Sequence, residues 1–387
     1  MTLVRAFIFG FLTPTLTVLS AVCALTATPA TARRSAPALT SAQRHYLALA
    51  QTGVATAERR WRDRRRGWYD ARLHDHDRYP LATIWDIVPL FQSLDAITIA
   101  QPSAANRRAL ARFASGAERY LNPGLRPVPG YSPYTGDRTA DTETWFDDNG
   151  WWGLAFVEAY RATGTRRYLA DAQRALRYIV AAGWDPVGGG IWWNTDHPYT
   201  AGEALASATL LATLLYQQTH SRFALAQAQR FLAFANTGGF SQSDQLYAAG
   251  SLASTPIDYI QSPLIYAQAL LCKLRGAAGD CALADYLTAN ALHRFGPMLE
   301  FAPQYDAVYL QWMLALYSLN GNPALYALAV ENGQRAAQSS AMSDEGLYLL
   351  SWSGAPLPAQ YAEPQMLQTQ AATTSLFAWL AVARPPA

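Results

Sequence analysis

The chain has 387 residues, 51% of them hydrophobic and 15% charged, which is enough to bury a large core. Its formal net charge of +2 supplies no strong field to argue for a nucleic-acid partner. Length alone suggests two or three domains, although a closed helical barrel uses such a length as one.

The N-terminus reads as an export signal. Arg5 supplies a positive end, residues 6–25 are largely apolar, and Ala30-Thr31-Ala32 offers small residues for cleavage. The expected mature chain begins near Arg33. An uncleaved anchor helix is the alternative, weakened by Pro14 and the scattered threonines. Residues 33–40 form a short tether rich in Arg, Ser and Pro, and no later segment is apolar enough to span a membrane. The rest, 41–387, reads as a single domain, taken as a monomer without an integral membrane part.

Helical periodicity then dominates. The spacing predicts helices at 41–62, 82–100, 104–121, 149–162, 166–182, 202–219, 222–236, 263–275, 282–295, 306–319, 323–338 and 367–383. Short breaks carry stop signals, such as Thr163-Gly164-Thr165 and Asn320-Gly321-Asn322-Pro323. Residues 190–194 are a candidate for a small hairpin strand. Short and long connections alternate, and short links make antiparallel neighbours. A closed ring of six such hairpins, an all-α (α/α)6 toroid, would collect every long loop and every even-helix start at one end. An open solenoid is the alternative, but no internal sequence repeat supports it.

The even-helix starts are rich in polar and aromatic groups: Trp85 and Asp86, then Asp147-Asp148-Asn149, Glu203, Asp258-Tyr259-Ile260-Gln261, and Asp306. Asp147 and Asp148 stand among Trp145, Phe146, Trp151 and Trp152. A carboxylate at a helix start caps exposed N–H groups and suits the positive end of the dipole, so one acid needs no function. Two acids and an Asn exceed what one cap needs. Adjacent Cα atoms lie about 3.8 Å apart. Neighbouring side chains can therefore meet the ~5–5.5 Å carboxyl separation of a retaining glycosidase. Their repulsion and the apolar indoles would keep one group protonated as an acid. The indoles of Trp145, Trp151, Trp152, Trp192 and Trp193 suit the apolar faces of sugar rings, or equally a helical core.

Asp147-Asp148-Asn149-Gly150-Trp151-Trp152, followed by Gly189-Gly190-Ile191-Trp192-Trp193, resembles glycoside hydrolase family 76. The resemblance extends more weakly over most of the mature chain. It implies an (α/α)6 barrel acting as an endo-α-1,6-mannanase, with Asp147 as nucleophile, Asp148 as general acid/base, and no metal or organic cofactor. The implied partner is a polysaccharide or oligosaccharide substrate, contacted by Trp85, Asp86, Trp145, Asn149, Trp151, Trp152, Trp192, Trp193, Tyr259 and Gln261. The chain also departs from the family. Tyr199-Thr200-Ala201-Gly202-Glu203 stands where members commonly carry a Lys-Asn pair and a further Asn. Tyr259-Ile260-Gln261-Ser262 replaces Tyr-Asn-Gln-Gly, and Leu310-Gln311-Trp312 replaces a Phe-Lys-Gly signature. A transglycosylase and a non-catalytic carbohydrate-binding barrel are the alternative functions.

Other features are weaker. His74-Asp75-His76-Asp77 has ligand-like spacing but reads as a solvated loop. Residues 59–66 are the densest basic run, fit for an anionic polymer or membrane surface, or simply a solvated helix end. Ser353 lacks a nucleophile elbow. Cys272 and Cys281 would either close a small loop or stay as separate thiols.

Overall fold

The computed structural model describes residues 38–73, 81–241, 243–276, 278–339, 346–353 and 365–386. The expected signal segment and the cluster at 74–77 lie outside the described residues. Among the described residues twelve α-helices follow one another: α1 (Ser41–Arg60), α2 (Ile84–Ala100), α3 (Ala104–Ala117), α4 (Phe146–Thr163), α5 (Arg166–Tyr178), α6 (Gly202–Thr219), α7 (Arg222–Ala235), α8 (Asp258–Arg275), α9 (Ala278–Phe295), α10 (Pro303–Asn320), α11 (Pro323–Ser339) and α12 (Leu367–Val382).

The even helices form an inner ring. Each packs on the next, and α12 packs back on α2, so the array closes as an (α/α)6 toroid rather than an open solenoid. Composition assigns the two layers. In α12 every residue from Leu367 to Ala381 is buried, as befits a helix with no charged residue on any face. In α5 only one face is buried, including Tyr168, Ala172, Ala175 and Leu176, while Arg166, Arg167 and Arg177 face out.

Local signals set the joints. Thr40, Thr83, Ser103 and Ser221 cap α1, α2, α3 and α7 through their hydroxyls. Four of the inner helices, α4, α6, α8 and α10, end in left-handed residues, such as Gly164 after α4 (φ 74°) and His220 after α6 (φ 53°), which turn the chain sharply outward. The returns from outer to inner helices are long. They carry three two-stranded hairpins: β1 (Arg62–Asp63) with β2 (Trp68–Tyr69), β3 (Leu121–Asn122) with β4 (Gly130–Tyr131), and β5 (Phe240–Ser241) with β6 (Leu246–Tyr247). The strand expected at 190–194 is present only as isolated bridges, Trp184 with Ile191, Trp192 with Thr200 and Trp145 with Asn194.

Three inner helices, α4, α8 and α10, begin earlier than periodicity predicts, α10 at Pro303 rather than 306. Helix α4 starts at Phe146 because Trp145, extended and bridged to Asn194, supplies the N-cap backbone. Helix α8 starts at Asp258 and runs through Pro263. Proline in a helix removes one N–H and frees the carbonyl four residues back. Here that carbonyl belongs to Tyr259. In α2, Pro89 frees the carbonyl of Trp85, which accepts a 2.9 Å hydrogen bond from Gln368 on α12. A break in one helix thus ties two inner helices together. Cys272 and Cys281 form a disulfide with Cα atoms 5.4 Å apart.

Candidate active site

The starts of the inner helices gather at one end of the ring. Second residues project into the same space: Trp85 of α2, Asp147 of α4, Glu203 of α6 and Tyr259 of α8, joined by Tyr305, the third residue of α10. Together with Asp148, Trp145, Trp193, Thr83, Pro133 and Tyr134 they line a cleft of ≈ 290 Å³. The aromatic floor is continuous. Tyr259 and Tyr305 have ring centroids 4.7 Å apart, and Trp85 lies 6.3 Å from Tyr259 and 5.9 Å from Tyr305. Trp145 meets Trp193 edge-on at 6.0 Å, and Trp193 stacks on Tyr199. Among the described lining residues there is no lysine, arginine or histidine.

Asp147 and Asp148 are the second and third residues of α4. Neither is the N-cap, which is Trp145. Burial pushes the Asp147 carboxyl up to about 7, against the opposing pull of the backbone N–H groups of Asp148 and Asp147. Burial holds Asp148 well above the usual carboxylate range, and the negative charges of Asp147 and Asp86 add to it. Burial and then the Asp147 charge push Glu203 up to about 8. The site therefore contains neighbouring carboxyls of unequal proton affinity, the arrangement that lets one act as acid while the other is charged. Two further buried carboxyls, Asp258 and Asp306, interact with each other, and burial raises both.

The other expected contact residues divide. Trp85, Trp145, Trp193 and Tyr259 line the cleft. Trp151 is buried behind the floor, 6.3 Å from Trp85 and 6.4 Å from Tyr259. Asp86 closes a capping box, accepting at 2.8 Å from both the backbone N–H and the hydroxyl of Thr83. Trp152 sits in the core against Phe91, Tyr120 and Phe156. Trp192 stacks on His197 and borders a separate cavity. Asn149 and Gln261 are fully buried and serve as latches. The Asn149 amide accepts from the Tyr131 N–H and donates to its carbonyl, both at 2.9 Å. Gln261 does the same for Tyr247, at 3.0 and 2.8 Å.

Glu203, Tyr305, Tyr134, Thr83 and Pro133 line the cleft without having been singled out as contacts. The signal for Glu203 was available, since it occupies the same second position as Asp147. Tyr134, on the 121–145 connection, had none.

Fold and cleft define an (α/α)6 toroid whose inner-helix starts carry carboxyls on an aromatic floor. Residues 128–261 match the family described as "Glycosyl hydrolase family 76", so the resemblance carried by Asp147–Trp152 and Gly189–Trp193 is borne out. Solved structures share the fold. A family 76 glycoside hydrolase (mannosidase) from Bacteroides thetaiotaomicron VPI-5482 superposes with a TM-score of 0.75 at 18% identity, over 87% of this chain and 98% of that one. A family 76 α-mannanase from Bacteroides thetaiotaomicron gives 0.77 at 17%, over 87% and 95%. An inactive variant of an α-1,6-mannanase from Salegentibacter sp. HEL1_6, changed at two consecutive aspartates and bound to α-1,6-mannotriose, gives 0.70 at 14%, over 88% and 100%. No curated protein matches the sequence. Among the described residues no helix is long and apolar enough to cross a membrane, and no group of side chains could hold a metal ion.

Proposed function

We propose that this protein is an exported, retaining α-mannoside hydrolase that cuts α-1,6-linked mannan. The observation that carries this reading is the pair Asp147 and Asp148 at the start of an inner helix, opening into one cleft with an aromatic floor. Asp147 attacks the anomeric carbon, forming a glycosyl ester as the glycosidic bond breaks. Asp148, raised by burial and by the negative charges of Asp147 and Asp86, gives its proton to the leaving oxygen and then takes one from the incoming water. Trp85, Tyr259, Trp145 and Trp193 offer ring faces to the apolar sides of the sugars. The described lining holds carboxyls and no cation, which suits neutral sugars and repels uronates. Support also comes from the Salegentibacter mannanase, whose inactive form is altered at two consecutive aspartates and holds an α-1,6-mannoside.

The test is to incubate the protein with α-1,6-mannan and other α-glycans and to follow the anomeric form of the first product by NMR. The expected result is shortened α-1,6-manno-oligosaccharides released as the α-anomer. Asp147→Asn and Asp148→Asn should each lower turnover by at least about a thousandfold on mannan, since each removes an indispensable step, with melting temperature preserved. Full activity in either variant would sink the assigned pair. First release of the β-anomer would overturn retention, elongated products would assign transfer, and binding without products would make the barrel a receptor.

A further inference from the structure

Outside the cleft, charge is distributed unevenly. Residues 58–70 and 104–119 together hold ten arginines against four acids, whereas the whole chain is only +2, so the remainder is net negative. These two segments flank one groove of ≈ 470 Å³ between α1 and α3 on the outer ring. Its floor is aromatic, and Arg62, Arg112 and Arg119 line it beside a single acid, Glu58, which pairs with Arg62 at 3.5 Å. The Arg119 guanidinium covers the Trp68 ring at 4.4 Å, and Arg62 lies 5.3 Å from the centre of Tyr69. Arg112 completes the lining, and Arg64, Arg65, Arg107 and Arg108 are exposed around it.

Ordinary helix electrostatics accounts for only part of this. Arg59 and Arg60 lie in the last turn of α1, where cations suit the negative end of the dipole. Arg107 and Arg108 lie near the start of α3, whose first turn has no acid, and there the dipole opposes them. Arg64 and Arg65 belong to the turn between β1 and β2, outside any helix. Like charges crowded at one surface repel at a cost that a bound polyanion would offset. Guanidinium groups also present the fork that fits phosphate oxygens. The turn between β1 and β2 lies on the connection that leads into α2, whose Thr83 and Trp85 border the cleft.

We propose that the groove between α1 and α3 is an exosite for a phosphate-bearing polysaccharide, holding the protein on a charged glycan while the acidic cleft works on neutral sugars. The site is read out by binding, independently of turnover. The probes are a mannan carrying phosphodiester groups and the same mannan stripped of phosphate, tested by affinity electrophoresis with the full chain. The phosphorylated polymer should bind about tenfold tighter at low ionic strength, and raising salt to about 0.3 M should abolish the difference, as screening of exposed charges demands. The triple variant Arg64→Ser, Arg65→Ser, Arg112→Ser should lose the preference, with its melting temperature and its action on a short neutral α-1,6-manno-oligosaccharide unchanged. Equal binding of the two mannans, or a preference that survives the triple variant, would overturn the exosite. Duplex DNA binding as tightly at equal phosphate concentration would overturn its assignment to a glycan. A chain that prefers phosphomannan yet cleaves no mannan would leave the exosite standing and sink the catalytic reading.

Discussion

One peptide bond separates Asp147 from Asp148, and both belong to the first turn of a helix whose N–H groups point at the cleft end. Protonation is set by unequal surroundings: Asp147 feels the opposing backbone donors, Asp148 the added charges of Asp147 and Asp86. The two titrate as a coupled system. At low pH both are protonated and no nucleophile exists. Ionisation of Asp147 switches activity on as pH rises, and loss of the Asp148 proton switches it off again. The acid limb of kcat/KM on α-1,6-mannan should therefore fall near pH 7 rather than in the usual carboxylate range, which a pH–rate profile measures. Glu203 shares the site and interacts with Asp147. Glu203, pushed up to about 8 by burial and the Asp147 charge, is still mostly protonated where Asp147 ionises, so Glu203→Gln should leave that limb in place. A limb moved to lower pH would show that Glu203 is the group charged first. The double acid was legible because two carboxylates beside indoles are chemically costly. Glu203 was harder to read, since a single acid at a helix start has an ordinary use as a dipole partner.

At the scale of elements, periodicity and caps placed all twelve helices, and the misplaced starts of α4 and α8 have specific causes. Neither N-cap is a capping side chain, and α8 contains a proline that a one-dimensional reading takes as its start. A repeat also escaped notice. Asn149, Gln261 and Gln370 each occupy the fourth position of an inner helix, and each accepts an N–H from the preceding return, at Tyr131, Tyr247 and Tyr348. Three single residues in 387 make no detectable sequence repeat, yet they fix the loops that frame the cleft. Two were expected to touch sugar; their amides are instead fully engaged by backbone. Farther along α2, Asp95 is fully buried and neither carboxylate oxygen has a hydrogen-bond partner among the described residues. Burial and then the negative charge of Glu158 raise it well above the usual range. An acid whose folded value is raised keeps its full contribution below the unfolded value, near 4, and loses it as pH climbs toward the folded one. Asp95→Asn removes that loss. It should leave stability nearly unchanged at pH 4 and raise it by roughly 1–3 kcal/mol at pH 8, the scale of an uncompensated buried polar group. Urea titrations at the two pH values measure this, and an equal effect at both would show that Asp95 is not titrating.

For the whole molecule, alternation of short and long connections implied a ring, but the tightness of its closure depends on which helices touch. Closure occurs where α12 meets α2, with α1 lying over the seam. Helix α1 comes close because Gly53 has no side chain: a Cβ there would stand 2.2 Å from Thr374 Oγ1 and 3.0 Å from Thr374 Cβ. Turning the threonine cannot relieve a contact that includes its own Cβ, and its hydroxyl already donates to the Gln370 carbonyl at 2.7 Å. Replacing glycine by alanine inside a helix ordinarily stabilises by about 0.5–1 kcal/mol, because the unfolded chain loses freedom. At Gly53 the sign should reverse. Gly53→Ala must push α1 off α12, and overpacking of this kind costs about 1–3 kcal/mol. Gly279, in the first turn of α9, meets nothing within 4 Å of an added Cβ. Gly279→Ala should therefore be neutral or mildly stabilising. Denaturation midpoints of the two variants against the parent decide the matter. If Gly53→Ala were as benign as Gly279→Ala, the seam would be loose, and α1 could not be what presses the last inner helix into place.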